Sequence, residues 1–217
     1  MNTSTARINM IKQQLRTGDI LNPKTLSLYN QIPRQTFVPL EFQNFAYTDM
    51  QIELPHGQRM MTPLEEATLL QALNLEGDEV VLEIGTGTGF LTACLSNLCK
   101  KVISIDIHAD FTEAARKKLT DPKYKNIELH TGDGSLGWVN DAPYDVIIFT
   151  GAMPMIKETH RLQVNLGGKL FAIIGEDPIM QGQLHQLDAD GNWHQSLLFE
   201  TQLPYLDHTQ TKDHFIF

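Results

Sequence analysis

Apolar positions change their period twice along this chain. Between residues 4 and 31 they recur at helical spacing, first Ile8, Ile11 and Leu15, then Leu26, Leu28 and Tyr29 after Pro23. That pattern predicts two short helices. A Phe37-Val38 pair bracketed by Pro33 and Pro39 is expected to dock on the main body. Residues 40–61 carry few periodic positions and several turn formers, which predicts an irregular segment. Helical spacing returns at Thr62-Pro63-Leu64-Glu65, where Thr at the N-cap, Pro at the first helical position and Glu at the third form a capping box. Ala67, Leu69, Leu70 and Leu73 then continue a helix to near Gly77.

Beyond residue 80 short apolar runs alternate with helical stretches. Strands are expected at 80–84, 102–107, 127–130, 144–150 and 170–174, with helices at 90–99 and 110–119. Continuous apolar strands separated by helices imply a parallel sheet covered on both faces. Residues 184–187 and 196–199, joined across Asp188-Ala189-Asp190-Gly191-Asn192, read as a hairpin, because Asp-Gly is a strong turn signal. The expected fold is therefore α/β: a mostly parallel, Rossmann-like sheet with antiparallel strands at its C-terminal end. Residues 1–61 form a helical and irregular N-terminal extension. No repeat or long linker divides the chain, so residues 1–217 are expected to form a single domain.

Charge and composition narrow the partners. The formal net charge is −9, the wrong sign for broad attraction to nucleic acid or an anionic membrane. No apolar stretch approaches the roughly 20 residues that span a bilayer, and residues 1–14 lack a signal-peptide core. A cytoplasmic location is the expectation. Cys94 and Cys99 fall five residues apart on one expected helix and so face different ways. They read as small buried side chains rather than a disulfide.

The chemistry concentrates in the turn after the first long strand, Glu83-Ile84-Gly85-Thr86-Gly87-Thr88-Gly89. A strand leading through glycines into a helix places a ligand at the carboxyl ends of the strands. The glycine spacing is G-x-G-x-G, one residue short of the dinucleotide fingerprint, which disfavours a nicotinamide-dependent oxidoreductase. Glu83, just ahead of the glycines, would be awkward beside a pyrophosphate but suits a ligand with an ammonium and a sulfonium. Asp106, with Ile107, ends the second strand, where an acid accepts hydrogen bonds from ribose hydroxyls. Asp133, with Gly134, follows the third strand, where a carboxylate can accept from an adenine amino group. Singly, each reads equally well as a turn or helix-capping aspartate. Together with Gly85, Thr86, Gly87 and Gly89, the three acids match the parts of S-adenosylmethionine and predict that cofactor.

These segments resemble the protein-L-isoaspartate O-methyltransferases over most of the chain. Pro33-Arg34-Gln35-Thr36-Phe37-Val38-Pro39, Ala46-Tyr47-Thr48-Asp49 and Val81–Phe90 are similar to that family's motifs. So is Gly132-Asp133-Gly134 with Gly137-Trp138 and Ala142-Pro143-Tyr144-Asp145, the most specific piece. The resemblance implies a class I S-adenosylmethionine-dependent methyltransferase fold. It also implies methyl transfer to the α-carboxylate of isoaspartyl residues in damaged protein, so the partner is a protein or peptide bearing a carboxylate. The departures fall on the acceptor side. The family's Gly-Gln-Thr-Ile-Ser-x-Pro reads Gly57-Gln58-Arg59-Met60-Met61-Thr62-Pro63, which puts Met61 where the family has its serine. Leu-Pro-Ile-Gly becomes Ile52-Glu53-Leu54-Pro55, and the Arg-Phe-Val-Pro-Leu loop becomes Gln202-Leu203-Pro204-Tyr205-Leu206, without its arginine. Thr62 is the candidate replacement hydroxyl, although a helix N-cap already explains it. Arg59, Met60 and Met61 are the expected substrate loop, with Arg59 a new cation that pairs with an acceptor carboxylate or lies solvated. Trp138 is expected to pack against the cofactor side of the sheet or to cap the core. His208 and His214 lack metal-ligand company, and no metal site is expected. Two readings stay open: a methyltransferase with an altered acceptor, and a non-catalytic S-adenosylmethionine-binding sensor or partner module.

Overall fold

The computed structural model describes residues 3–210. The chain begins with α1 (Thr3–Met10), which runs directly into a π-helical turn over Ile11–Leu15. That turn carries the extra residue per hydrogen bond that rotates the buried face. Met10, Ile11 and Leu15 are buried and Ile8, expected on the same stripe, is 45% exposed. After α2 (Pro23–Gln31), capped by the Asn22 side chain, Phe37 and Val38 are buried as expected. The irregular stretch contains one regular feature that periodicity missed, a two-stranded ribbon of β1 (Ile52–Glu53) and β2 (Arg59–Met60).

α3 (Pro63–Leu73) opens on the expected capping box, with Thr62 Oγ1 accepting from the Glu65 N–H and the Glu65 carboxylate accepting from the Thr62 N–H. It stops at Leu73 rather than near Gly77, because Asn74 adopts a left-handed C-cap. The strands and helices then follow in alternation: β3 (Val80–Ile84), α4 (Phe90–Ser96), β4 (Lys101–Asp106), α5 (Ala109–Lys118), β5 (Ile127–Thr131), β6 (Tyr144–Met153), α6 (Glu158–Arg161) and β7 (Val164–Glu176). β8 (Ile179–Leu187) and β9 (Trp193–Thr201) complete a seven-stranded sheet of order β5-β4-β3-β6-β7-β8-β9. The first five strands in that order pair in parallel and the last two pairings are antiparallel. The β8–β9 hairpin was legible from its Asp-Gly turn. The β7–β8 turn, through Asp177-Pro178, was not. Cys94 and Cys99 are free and buried, and Cys99 lies past the end of α4. No described helix is long and apolar enough to cross a membrane.

Every residue of α4 is buried, because the N-terminal extension covers the side turned away from the sheet. Tyr29 and Phe37 reach the Phe90 ring with centroids 5.8 and 5.7 Å away. Beneath them lies Arg34, fully buried. Its guanidinium donates to both carboxylate oxygens of Glu66, at 2.9 and 3.2 Å, to the Met61 carbonyl at 2.7 Å and to the Ala46 carbonyl at 3.1 Å. Burial drives the Glu66 carboxyl's pKa up and Arg34 pulls it back. Such a pair is costly to break, since removing one partner strands the other charge in an apolar interior. Arg34→Met should therefore cost about 3–5 kcal/mol in urea unfolding. The double variant Arg34→Met/Glu66→Leu should recover much of that loss. A single-variant cost below about 1 kcal/mol, the range of an exposed pair, would refute the hub role.

Candidate active site

The chain leaves β3 in one direction, to β4 and β5, and later returns to β6 on β3's other side. That reversal opens a crevice beyond the carboxyl ends of β3 and β6, the usual ligand position in such sheets. The glycine turn enters it. Gly85 has φ +98°, and a Cβ there would lie 2.1 Å from Thr150 Oγ1. Thr150, in β6 just past the last residue that pairs with β3, donates to the carbonyls of Ile84 and Gly85, so the turn is clamped against the neighbouring strand. Gly89 is the left-handed N-cap of α4, and its Cβ would press within 3.0 Å of Ala115. The spacing of the glycines therefore has a steric cause.

Two adjoining cavities open on this turn. Gly85, Gly87, Asp106, Ile107, Asp133 and Gly134 all line the first, together with His108, Leu206 and Asp207. The second is lined by Glu83, Gly85, Thr86 and Gly87 on one side and by Met60, Met61 and Glu66 on the other. Arg59 lines both. Of the expected site residues, Gly89 and Thr62 line neither. Gly89 shapes the turn from behind. Thr62 Oγ1 accepts the Glu65 N–H in its cap, and from this stretch Arg59, Met60 and Met61 line the second cavity.

Glu83 is completely buried. Its Oε2 accepts from Thr92 Oγ1 at 2.5 Å and from Ser104 Oγ at 2.6 Å. Ser104 has one proton, given to Glu83, so the Thr86 hydroxyl 2.6 Å away must donate to Ser104. The other oxygen, Oε1, is buried and has no partner among the described residues. Burial pushes the Glu83 carboxyl up to about 7, against the pull of the two hydroxyls. An unpartnered carboxylate oxygen at a cavity wall is costly by itself and suits a cationic ligand group.

Asp106 Oδ2 accepts from the Gly87 N–H and Oδ1 from the His108 N–H, at 2.8 and 2.9 Å. Burial raises its carboxyl, partly opposed by those two bonds. A carboxylate has about four acceptor positions, so two remain for hydroxyls. Asp133 accepts from the Ser135 N–H and pairs with His208 Nδ1 at 2.8 Å. Partial burial pushes its carboxyl up, but the His208 and Ser135 hydrogen bonds more than offset this and hold it below the ordinary range. His208 thus serves an acid rather than standing alone, and His214 lies outside the described residues. The loop carrying Asp133 is steadied by buried His160. Its Nδ1 accepts from the Lys157 N–H, so Nε2 carries the proton and donates to the Ser135 carbonyl at 3.0 Å. Trp138 lines neither cavity and packs over Gly132, where a Cβ would come within 2.9 Å of the indole.

The C-terminal segment roofs the first cavity. The Ala152 N–H donates to the Pro204 carbonyl, the Leu206 N–H donates to the Ala152 carbonyl, and the Gln58 side chain donates to the Tyr205 carbonyl. Asp207 then approaches His108 Nε2 to 3.0 Å. Sequence reasoning missed His108, His160, Thr150 and Asp207. His108, next to Asp106-Ile107, was within reach of it, and the others become neighbours only in the folded sheet.

The family model for protein-L-isoaspartate(D-aspartate) O-methyltransferase matches residues 5–211. A protein-L-isoaspartate O-methyltransferase of Synechococcus sp. is 35% identical over 176 residues, 81% of this chain and 72% of that protein. A protein-L-isoaspartate O-methyltransferase 2 of Shewanella sediminis is 37% identical over 170 residues, 78% of this chain and 70% of that protein. Among solved structures, a protein-L-isoaspartate O-methyltransferase superposes with a TM-score of 0.76 at 22% identity, covering 92% of this chain and 65% of that one. A Plasmodium falciparum structure described as the same kind of enzyme, in complex with S-adenosyl-L-homocysteine, gives 0.74 at 18% identity, covering 95% of this chain and 98% of that one. The structures speak for the fold, and the sequence matches extend over most of each protein's length. This chain belongs to the protein-L-isoaspartate(D-aspartate) O-methyltransferase family.

Proposed function

We propose that this chain binds S-adenosylmethionine in the two adjoining cavities and methylates the α-carboxylate of isoaspartyl residues in a protein or peptide acceptor. One observation carries the reading: three acids from the ends of three adjacent strands meet on one connected pair of cavities, each with acceptor capacity to spare. Asp106 is placed to hold ribose hydroxyls, Asp133 the adenine amino group, and Glu83 Oε1 the ammonium of the amino-acid tail. When bound, the cofactor supplies a methyl group on a positively charged sulfur. The acceptor is a carboxylate, ionised at neutral pH, so no side chain need remove a proton from it. The protein has to align the acceptor and keep water away. Among the described residues, Arg59 is the only side chain with a permanent positive charge lining either cavity. It is therefore our choice for the acceptor's carboxylate partner. The net charge of −9 fits a cytoplasmic protein acceptor better than nucleic acid or an anionic membrane. Met61, buried where the family carries a serine, is the feature that favours the second reading, a cofactor-binding module without transfer.

Asp106→Ala should weaken S-adenosylhomocysteine binding by roughly 10–100-fold in calorimetry, the loss expected for hydrogen bonds to a charged group. Unchanged affinity would remove Asp106 from the site. The Glu83 carboxyl, raised to about 7, is neutral below that pH and an anion above it. Attraction for an ammonium therefore appears as pH rises, and affinity should climb between about pH 6 and 8 and stay flatter in Glu83→Gln. In the cofactor-free chain the same shift acts oppositely on stability. The folded state holds the proton more tightly, so stability falls as pH rises from 4.5 towards about 7. Met61→Ser should raise transfer to an isoaspartyl peptide by about tenfold or more if the hydroxyl only orients the acceptor. It should also lower thermal stability, because it truncates a buried side chain. Destabilisation without any gain in transfer would mean that the acceptor has changed.

A further inference from the structure

One cluster on the rim of the first cavity has no part in this scheme. His56, in the turn between β1 and β2, has φ 60° and ψ 19°, a left-handed backbone uncommon outside glycine. Its imidazole lies flat on that of His108, with centroids 3.8 Å and planes 7° apart. His56 Nε2 is 3.0 and 3.1 Å from the two carboxylate oxygens of Asp110, in the first turn of α5. One ligand atom from each of these three residues lies within 4.8 Å of the other two. Asp207 sets a second carboxylate 3.0 Å from His108 Nε2, and the Phe111 ring stands edge-on to both imidazoles.

A neutral imidazole carries a lone pair able to ligate a metal ion. A tetrahedral ion with bonds of about 2.1 Å sets its ligand atoms about 3.4 Å apart; His56 Nε2 and the Asp110 oxygens are 3.0 and 3.1 Å apart, and a His108 nitrogen lies within 4.8 Å of both groups. Two nitrogens and a carboxylate oxygen match zinc and its transition-metal neighbours, whereas calcium and magnesium take oxygen shells. We propose that His56, His108 and Asp110 form a binding site for a divalent transition-metal ion, which clips the β1–β2 turn to the start of α5 at the rim of the cofactor cavity. Binding replaces the proton shared between His56 and Asp110 and leaves a fourth position open. Leu54 and Gln58 on one side of the clip, and Asp106 and Ile107 on the other, line that cavity. The clipping role rests on the cofactor reading above; the metal site does not.

The test is calorimetric titration of the untagged full-length chain with zinc chloride, without cofactor, and a parallel titration with cobalt(II) chloride followed by its visible spectrum. One equivalent should bind, with the bands of tetrahedral cobalt. His56→Asn and Asp110→Asn should each weaken binding at least about tenfold. Asn tolerates the left-handed backbone, and both side chains are substantially exposed, so the variants should keep the wild-type thermal midpoint without metal. Failure to bind zinc at roughly 100 μM, or binding unchanged in both variants, as ligation at Cys94 or Cys99 would give, overturns the site. If the site exists, zinc should also tighten S-adenosylhomocysteine binding in the wild type and not in His56→Asn. Equal affinity with and without zinc overturns the clip.

Discussion

Three separate stretches of the chain, around Ala46, Met61–Glu66 and Phe90, converge on one guanidinium. Arg34 holds the Ala46 and Met61 carbonyls and the Glu66 carboxylate at once, and lies 5.5 Å from the centre of the Phe90 ring. Each of those partners positions something else. Met61 and Glu66 line the second cavity, Phe90 opens α4 directly after the glycine turn, and Ala46 anchors the irregular segment that leads to the β1–β2 ribbon. A buried ion pair is poor evidence of stability by itself, because desolvation offsets most of its attraction. Its value here is geometric, since only one arrangement of the N-terminal extension satisfies all four acceptors. The motif containing Arg34 therefore belongs to the frame of the site.

The two halves of the site are built on different physical terms. The cofactor half rests on the rigid end of the parallel sheet, where Thr150 clamps the glycine turn and a line of hydroxyls from Thr86 through Ser104 fixes one oxygen of Glu83. That preorganisation costs a carboxyl held near neutrality with one oxygen unpartnered, a cost that a cationic ligand group would relieve. The proposed acceptor half comprises the ribbon, the residues before α3 and the C-terminal segment, joined by contacts such as that of Gln58 with Tyr205. There the departures from the family's motifs collect: Met61 in place of a hydroxyl, Ile52-Glu53-Leu54-Pro55 in place of Leu-Pro-Ile-Gly, and no arginine in the C-terminal loop.

Signals confined to neighbouring residues could be read directly from the sequence. The strand runs, the Thr62–Glu65 capping box, the Asp-Gly hairpin and the glycine spacing all depend on local backbone geometry, and each formed, although β6, β7 and both hairpin strands run beyond their expected bounds. The π turn at Ile11–Leu15 was hidden because it changes the period partway along a helix, exposing Ile8 and burying Met10. The β7–β8 turn carries no Asn-Gly or Asp-Gly signature. At the site, the acids at strand ends were legible because a parallel sheet gathers strand ends at one edge. The partners that tune them were not. His208 with Asp133, Asp207 with His108, and His160 with Ser135 join residues whose proximity only the folded sheet creates. Thr62 shows the reverse case: its cap was legible, and the structure places it in that cap, lining neither cavity.

The central claim is that an intact cofactor half still serves an isoaspartyl acceptor although the family's serine has become Met61. Incubation with methyl-labelled S-adenosylmethionine and a matched pair of peptides, one isoaspartyl and one aspartyl, tests it most directly. The account predicts a base-labile methyl ester on the isoaspartyl peptide alone. Label on neither peptide, from a protein that binds S-adenosylhomocysteine, would contradict it.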